Sequence, residues 1–228
     1  MRGWAMHFHG STRIQKITNK WGFYPKHYWE AIDFMVKITQ KAGDHLKQEY
    51  QLIHRRKDIG MMIGEQVMYW VWNIQDLTFE FAGDVRILDF GCGKAYPYKN
   101  RRIHRLWDCT KVIFYDIGIP EYEKKPEVGE FNAIVSCDVL EHIPEDEIDA
   151  TFEYWFANPN MKFVFCTIAG YPARATLSDG RNAHVTLKPL EWWIEKIKKY
   201  QNCKVEILYF PEIGKQYNAE RHILEWKK

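Results

Sequence analysis

"RILDFGCGKAYPYKN", residues 86–100, passes from an apolar run into a Gly-Cys-Gly turn and then into a basic, helix-like stretch. A strand, a tight glycine turn and a helix start together make a ligand cradle. Glycine lets the backbone approach a bound group closely, and the first amides of a helix have no partner within it. The same design serves pyrophosphates and other groups, so the residues around the glycines must say which ligand fits.

Working outward, apolar runs alternate with helix-like segments. "VRILDF" (85–90), "KVIFYDI" (111–117), "FNAIVSCDV" (131–139), "KFVFCTIA" (162–169), "KVEILYF" (204–210) and "ERHILEWK" (220–227) read as strands. Between them "YPYKNRRIHRLWDC", "PEDEIDATFEYWFA" and "PLEWWIEKIKKY" read as helices, the second with Pro144 at its start. Such alternation predicts an α/β domain with a largely parallel sheet, and unbroken apolar runs such as "FVFCTI" suit strands covered on both faces. Ahead of it, "YPKHYWEAIDFMVKITQKAGDHLKQEYQLIHRRKDIG" and "MMIGEQVMYWVWNIQDLTFEFAG" read as helical. The division expected is a helical extension or lid over 1–80 and a ligand-binding domain over 81–228.

Composition narrows the class. The chain has 228 residues, enough for one large domain with an appendage. Residues 1–60 hold eleven Lys and Arg against five Asp and Glu, a basic segment that a solvated helix surface explains as readily as an anionic partner. The five cysteines, Cys92, Cys109, Cys137, Cys166 and Cys203, are odd in number and include no C-x-x-C pair. They read as reduced thiols of a cytoplasmic protein, with no disulfide frame and no metal site. The start "MRGWAMHFHGSTR" lacks a signal-peptide core, and the longest apolar stretch is interrupted by Glu65 and Gln66, so no membrane association is expected.

A dinucleotide cradle wants G-x-G-x-x-G. Gly91 and Gly93 fill two positions, but Tyr96 stands at the third, and Asp89 precedes the turn. A carboxylate at the strand end repels pyrophosphate and attracts a cation, by about 4 kcal/mol at about 4 Å and an effective dielectric near 20, before desolvation. A nucleoside carrying positive charge suits this turn, and S-adenosylmethionine (SAM) is one.

"ILDFGCGKA" resembles motif I of the class I SAM-dependent methyltransferases, (D/E)-x-G-x-G-x-G after a hydrophobic pair, with Ala95 in place of the last glycine. "VIFYDI" resembles that family's second strand, whose terminal acid chelates the ribose hydroxyls, here Asp116. "FNAIVSCDVLEHIPEDEI" resembles its fourth strand and following loop, and "KFVFCTIA" its fifth. The resemblance covers about residues 85–210 and implies a Rossmann-like, doubly wound, mostly parallel sheet. It implies SAM as cofactor, held by Asp89, Gly91, Cys92, Gly93, Asp116, Ile117, Cys137 and Asp138. One departure stands out. "GIPEYEKKPEVGE" contains two prolines and is too short for the usual helix and third strand, so that unit is expected to be shortened. Adenine contacts then fall to the backbone near Lys125 or around Ser136 and Cys137.

Methyl transfer needs alignment, and a base when the acceptor carries a proton. Asp138 ends the expected fourth strand, and Glu141 and His142 follow it. His184 lies in "DGRNAHVTLKPLEWW" beside Arg181 and Asn182, in a loop rich in turn formers. His184 and Asp138 are the catalytic candidates, and a structural role is open to each. "HVTLKPLEWW" also resembles a distal segment found in a subset of uncharacterised or small-molecule class I methyltransferases, which implies a pocket role without naming a substrate. Of Trp192 and Trp193, one is expected in the core and one toward the pocket. "CDVLEH" lacks the D/N/S-P-P-aromatic wording of DNA amino-methyltransferases, and Cys137 follows Ser136 rather than the Pro of C5-cytosine enzymes. The reading is methyl transfer to an O or N atom of a small molecule. Methylation of nucleic acid or protein is the alternative, and a SAM-binding sensor or assembly subunit without turnover is a third reading.

Overall fold

The computed structural model describes residues 47–52, 64–212 and 219–226. The basic segment and most of the first helical stretch therefore lie outside the described residues. Of that stretch, 47–52 are helical. Residues 47–228 form one compact unit.

Six strands are found among the described residues: β1 (Arg86–Phe90), β2 (Lys111–Tyr115), β3 (Ala133–Cys137), β4 (Phe163–Ala169), β5 (Lys204–Phe210) and β6 (Glu220–Leu224). They make one sheet in the order β2-β1-β3-β4-β5-β6. All neighbours are parallel except β5 and β6. The fold is thus α/β with a mostly parallel mixed sheet. The sequence between β2 and β3 carries no strand and only a short 3-10 turn, Val128–Glu130, so β2 is the edge of the sheet.

Alternation along each strand splits the core into two layers. Leu88, Ile134, Val164 and Ile207 face one side with Phe152 and Trp155 of α3 (Glu145–Phe156) and Trp193 of α4 (Leu190–Lys198). Ile87, Val135, Phe165 and Leu208 face the other with Val71, Ile74 and Leu77 of α1 (Val71–Glu80). Covering helices on both faces explain why every residue of β4 is buried. Three acids, Glu145, Asp146 and Glu147, begin α3, and Lys196 and Lys198 end α4, each the sign that the helix dipole favours. Trp193 is fully buried, whereas Trp192 is half-buried between the Lys188 and Lys196 ammonium groups, each 5.3 Å from its ring centre.

Two helical readings are corrected. "YPYKNRRIHRLWDC" is not one helix. Arg102 takes a left-handed φ of 54° and divides it into α2 (Tyr96–Arg101) and a 3-10 turn, Ile103–Leu106. The break lets Trp107 bury its ring and donate its indole N–H to the Val71 carbonyl at 3.0 Å. The described part of "MMIGEQVMYWVWNIQDLTFEFAG" likewise starts as a 3-10 turn, Gln66–Trp70, before α1.

Candidate functional site

The chain leaves β1 toward β2 on one side and returns across β1 to β3 on the other. The strand order therefore reverses between β1 and β3, and open α/β sheets bind ligands beyond the strand ends at that point. The glycine turn 91–93 lies there. Gly91 has φ +86°, and a Cβ on it would sit 2.3 Å from Val139 Cγ2, so only glycine lets β1 exit this close to the loop after β3.

The amides of Gly91, Cys92 and Gly93 are bonded within the chain rather than left for a ligand. The Gly91 and Cys92 N–H groups donate to the Tyr115 carbonyl at 2.8 and 3.1 Å, and Gly93 N–H donates to Asp116 Oδ2 at 2.8 Å. Asp116 Oδ1 accepts the Gly118 N–H at 2.8 Å. Asp116 is buried, and its carboxylate ties the end of β2 to the glycine turn. Ile117, the next residue, is half-exposed. Ala95 takes a left-handed φ of 53° at the start of α2, a conformation that favours glycine.

Asp89 is 3% exposed, and its Oδ2 has no hydrogen-bond partner. Burial raises its carboxyl from the ordinary 3.8 to about 7. The adjacent Tyr98 phenol pulls it down, and the Asp116 charge adds to the rise. Cys92 is buried and Cys137 half-buried, and burial raises both thiols. Neither cysteine has the electropositive surroundings that make a reactive thiolate. Lys125 Nζ lies 4.0 Å from the Tyr154 ring centre, and Ser136 Oγ is buried without a partner.

Beyond β3 and β4 three loops meet. Asp138 adopts a left-handed φ of 55°. Its N–H donates to Thr167 Oγ1 at 2.9 Å, and the Thr167 hydroxyl donates to Asp138 Oδ1 at 2.8 Å. Burial raises the Asp138 carboxyl, and His184 lowers it. Glu141 is fully buried. Its Oε1 accepts the Ala169 N–H at 3.0 Å, Oε2 has no partner, and burial holds its carboxyl well above the usual range.

The segment 182–186 is strapped onto this loop. Thr186 N–H donates to the Glu141 carbonyl at 3.0 Å and its hydroxyl to the Ile143 carbonyl at 2.6 Å. His142 Nδ1 bonds to the Ala183 carbonyl at 2.9 Å, and His184 Nδ1 to the Tyr171 carbonyl at 2.5 Å. A carbonyl only accepts, so both Nδ1 atoms carry a proton, and a neutral ring then keeps its lone pair on Nε2. Burial lowers His184 further, favouring its neutral form. The two rings stand edge to face with centres 4.6 Å apart.

The catalytic candidates His184 and Asp138 are thus neighbours, while Arg181 turns to Asp179 and Asn182 closes its own loop through Ala173. Sequence reading missed the contact of His142 with His184, and also Tyr50, whose hydroxyl donates to the His142 carbonyl at 2.6 Å. Glu49, beside Tyr50, accepts the N–H and hydroxyl of Ser178, so helical residues 49 and 50 touch both loops. All five cysteines are free, and among the described residues no helix is long and apolar enough to cross a membrane. No protein-family model, curated protein or solved structure matches this chain.

Proposed function

We propose that the protein is a SAM-dependent methyltransferase of Rossmann-like, doubly wound fold that methylates an O or N atom of a small molecule. One observation carries the reading. At the switch point the glycine turn spends its amides on Tyr115 and Asp116, while two buried carboxylates, Asp89 and Asp116, stand beneath and beside it. A site short of donors and rich in carboxylates disfavours phosphate and favours a ligand that brings hydroxyl donors and positive charge. SAM brings ribose hydroxyls, an ammonium and a sulfonium.

Asp116, the carboxylate at the end of β2 beside the glycine turn, would accept the ribose hydroxyls. The acceptor's lone pair would displace the sulfonium in line, the C–S electrons passing to sulfur to leave S-adenosylhomocysteine. His184, neutral with its lone pair on Nε2, would take the acceptor's proton, and Asp138 beside it would favour the resulting imidazolium. The small-molecule acceptor is favoured because the described residues crowd this end of the sheet: Tyr50 and the 182–186 strap cover the loop after β3.

The test is calorimetric titration of the purified chain with SAM and with S-adenosylhomocysteine, NAD serving as control. Micromolar binding of both, with none for NAD, is the expected outcome. Binding of NAD alone, or of none of the three, overturns the proposal. Salt-sensitive binding of RNA or DNA by the same protein would shift the acceptor to nucleic acid.

A further inference from the structure

Glu141, His142 and His184 do more than flank the strand ends. Each offers one donor atom that lies within 4.8 Å of the donor atoms of the other two. Around a single ion, donors at about 2.1 Å from the metal stand about 3–4 Å from one another. The donor atoms therefore need to close by at most about 1–2 Å to share one ion.

Two independent features say that the grouping is built for this. Glu141 Oε2 is a fully buried carboxylate oxygen with no hydrogen-bond partner, a costly arrangement that a cation would relieve. Both imidazoles donate Nδ1–H to backbone carbonyls, of Ala183 and Tyr171, the arrangement that fixes ring orientation and presents Nε2 as ligand. Asp138 adds a further negative charge that both Glu141 and His184 feel.

We propose that Glu141, His142 and His184 form a binding site for one divalent first-row transition-metal ion. Two imidazoles and one carboxylate on a single side of the ion suit Mn2+, Fe2+ or Zn2+ over Mg2+ or Ca2+, which prefer all-oxygen shells. Three protein ligands leave positions for water or for oxygen and nitrogen donors of a chelating ligand. The site stands on these residues alone and does not depend on the cofactor assigned to the glycine turn. With an ion bound, the His184 Nε2 lone pair is committed to the metal, so His184 can take the acceptor's proton only in the metal-free chain.

The experiment uses the full chain without an affinity tag, stripped with EDTA and titrated with Mn2+ alone under electron paramagnetic resonance. One Mn2+ per chain is expected, displaced by Zn2+ and not by equimolar Mg2+. Pulsed measurements of the bound ion should show coupling to imidazole nitrogen. His184→Gln should weaken Mn2+ roughly a hundredfold and reduce the nitrogen coupling, with its melting temperature in EDTA close to that of the parent chain. Glu141→Gln, a buried change that risks the fold, is secondary to it. Less than a tenth of an equivalent bound, absence of nitrogen coupling, or equal affinity in His184→Gln would each overturn the site. Because no SAM is present, these results are independent of the SAM titration.

Discussion

Replacing Asp116 with alanine is expected to abolish measurable SAM binding and to loosen the glycine turn. Its carboxylate accepts two buried backbone N–H groups, from Gly93 and Gly118, both at 2.8 Å. Hydrogen bonds to a charged group contribute about 1.5–3 kcal/mol each, and the orphaned amides add their own cost. A loss on the order of 3–6 kcal/mol follows for the turn, before any ribose contact is counted. Asp116→Asn is the sharper probe. It keeps the shape but turns one acceptor into an NH2 group facing the Gly93 or the Gly118 N–H. It should therefore lose stability by urea denaturation and lose SAM affinity by calorimetry, at least tenfold. An Asn variant with parental affinity would remove Asp116 from the ribose site.

Asp89→Asn is expected to stabilise the empty protein above neutral pH, the reverse of what loss of a charge at a ligand site usually brings. The Asp89 carboxyl is raised to about 7 in the fold against 3.8 for the ordinary group. Between those values the unfolded chain is ionised while the folded one keeps its proton. Unfolding therefore releases a proton there, and stability falls as pH rises from about 4 to about 7. At 1.36 kcal/mol per unit the fall is on the order of 4 kcal/mol. Asparagine removes this titration, so the fall in urea midpoint from pH 5 to pH 8 should be smaller in the variant than in the parent, the raised Asp138 and Glu141 carboxyls keeping the remainder. SAM binding should respond in the opposite sense, because a cation draws the proton off Asp89. The parent should bind SAM more tightly at pH 8 than at pH 5, and Asp89→Asn should bind it weakly at both. Parallel stability curves for parent and variant would show that the carboxyl is ionised throughout.

The strands were legible because each is an apolar run closed by a turn former or an acid: Gly91 after β1, Asp116 after β2 and Asp138 after β3. Parallel strands covered on both faces write themselves as unbroken hydrophobic text. The break at Arg102 was not legible, because one left-handed residue leaves no mark on the hydrophobic period. Nor was the state of Asp89, since sequence gives residue type and not desolvation. The grouping of Glu141, His142 and His184 depends on a long return of chain pinned by the Thr186 to Glu141 bond. Its sequence trace, an adjacent Glu-His after a strand and a later loop histidine, is too sparse to read alone.

The absence of a strand between β2 and β3 gives β2 a single neighbour, β1. An edge strand has half the ladder bonds of an inner one, and β2 is only half-buried along most of its length. In a sheet whose segments open by degrees, such a strand belongs among the first to exchange its amide protons with water. Yet β2 ends in the Tyr115 carbonyl and the Asp116 carboxylate that hold the amides of Gly91, Cys92 and Gly93. This edge strand and the glycine turn are therefore expected to open as one unit, and a ligand clasped there would close this edge of the sheet at the same time.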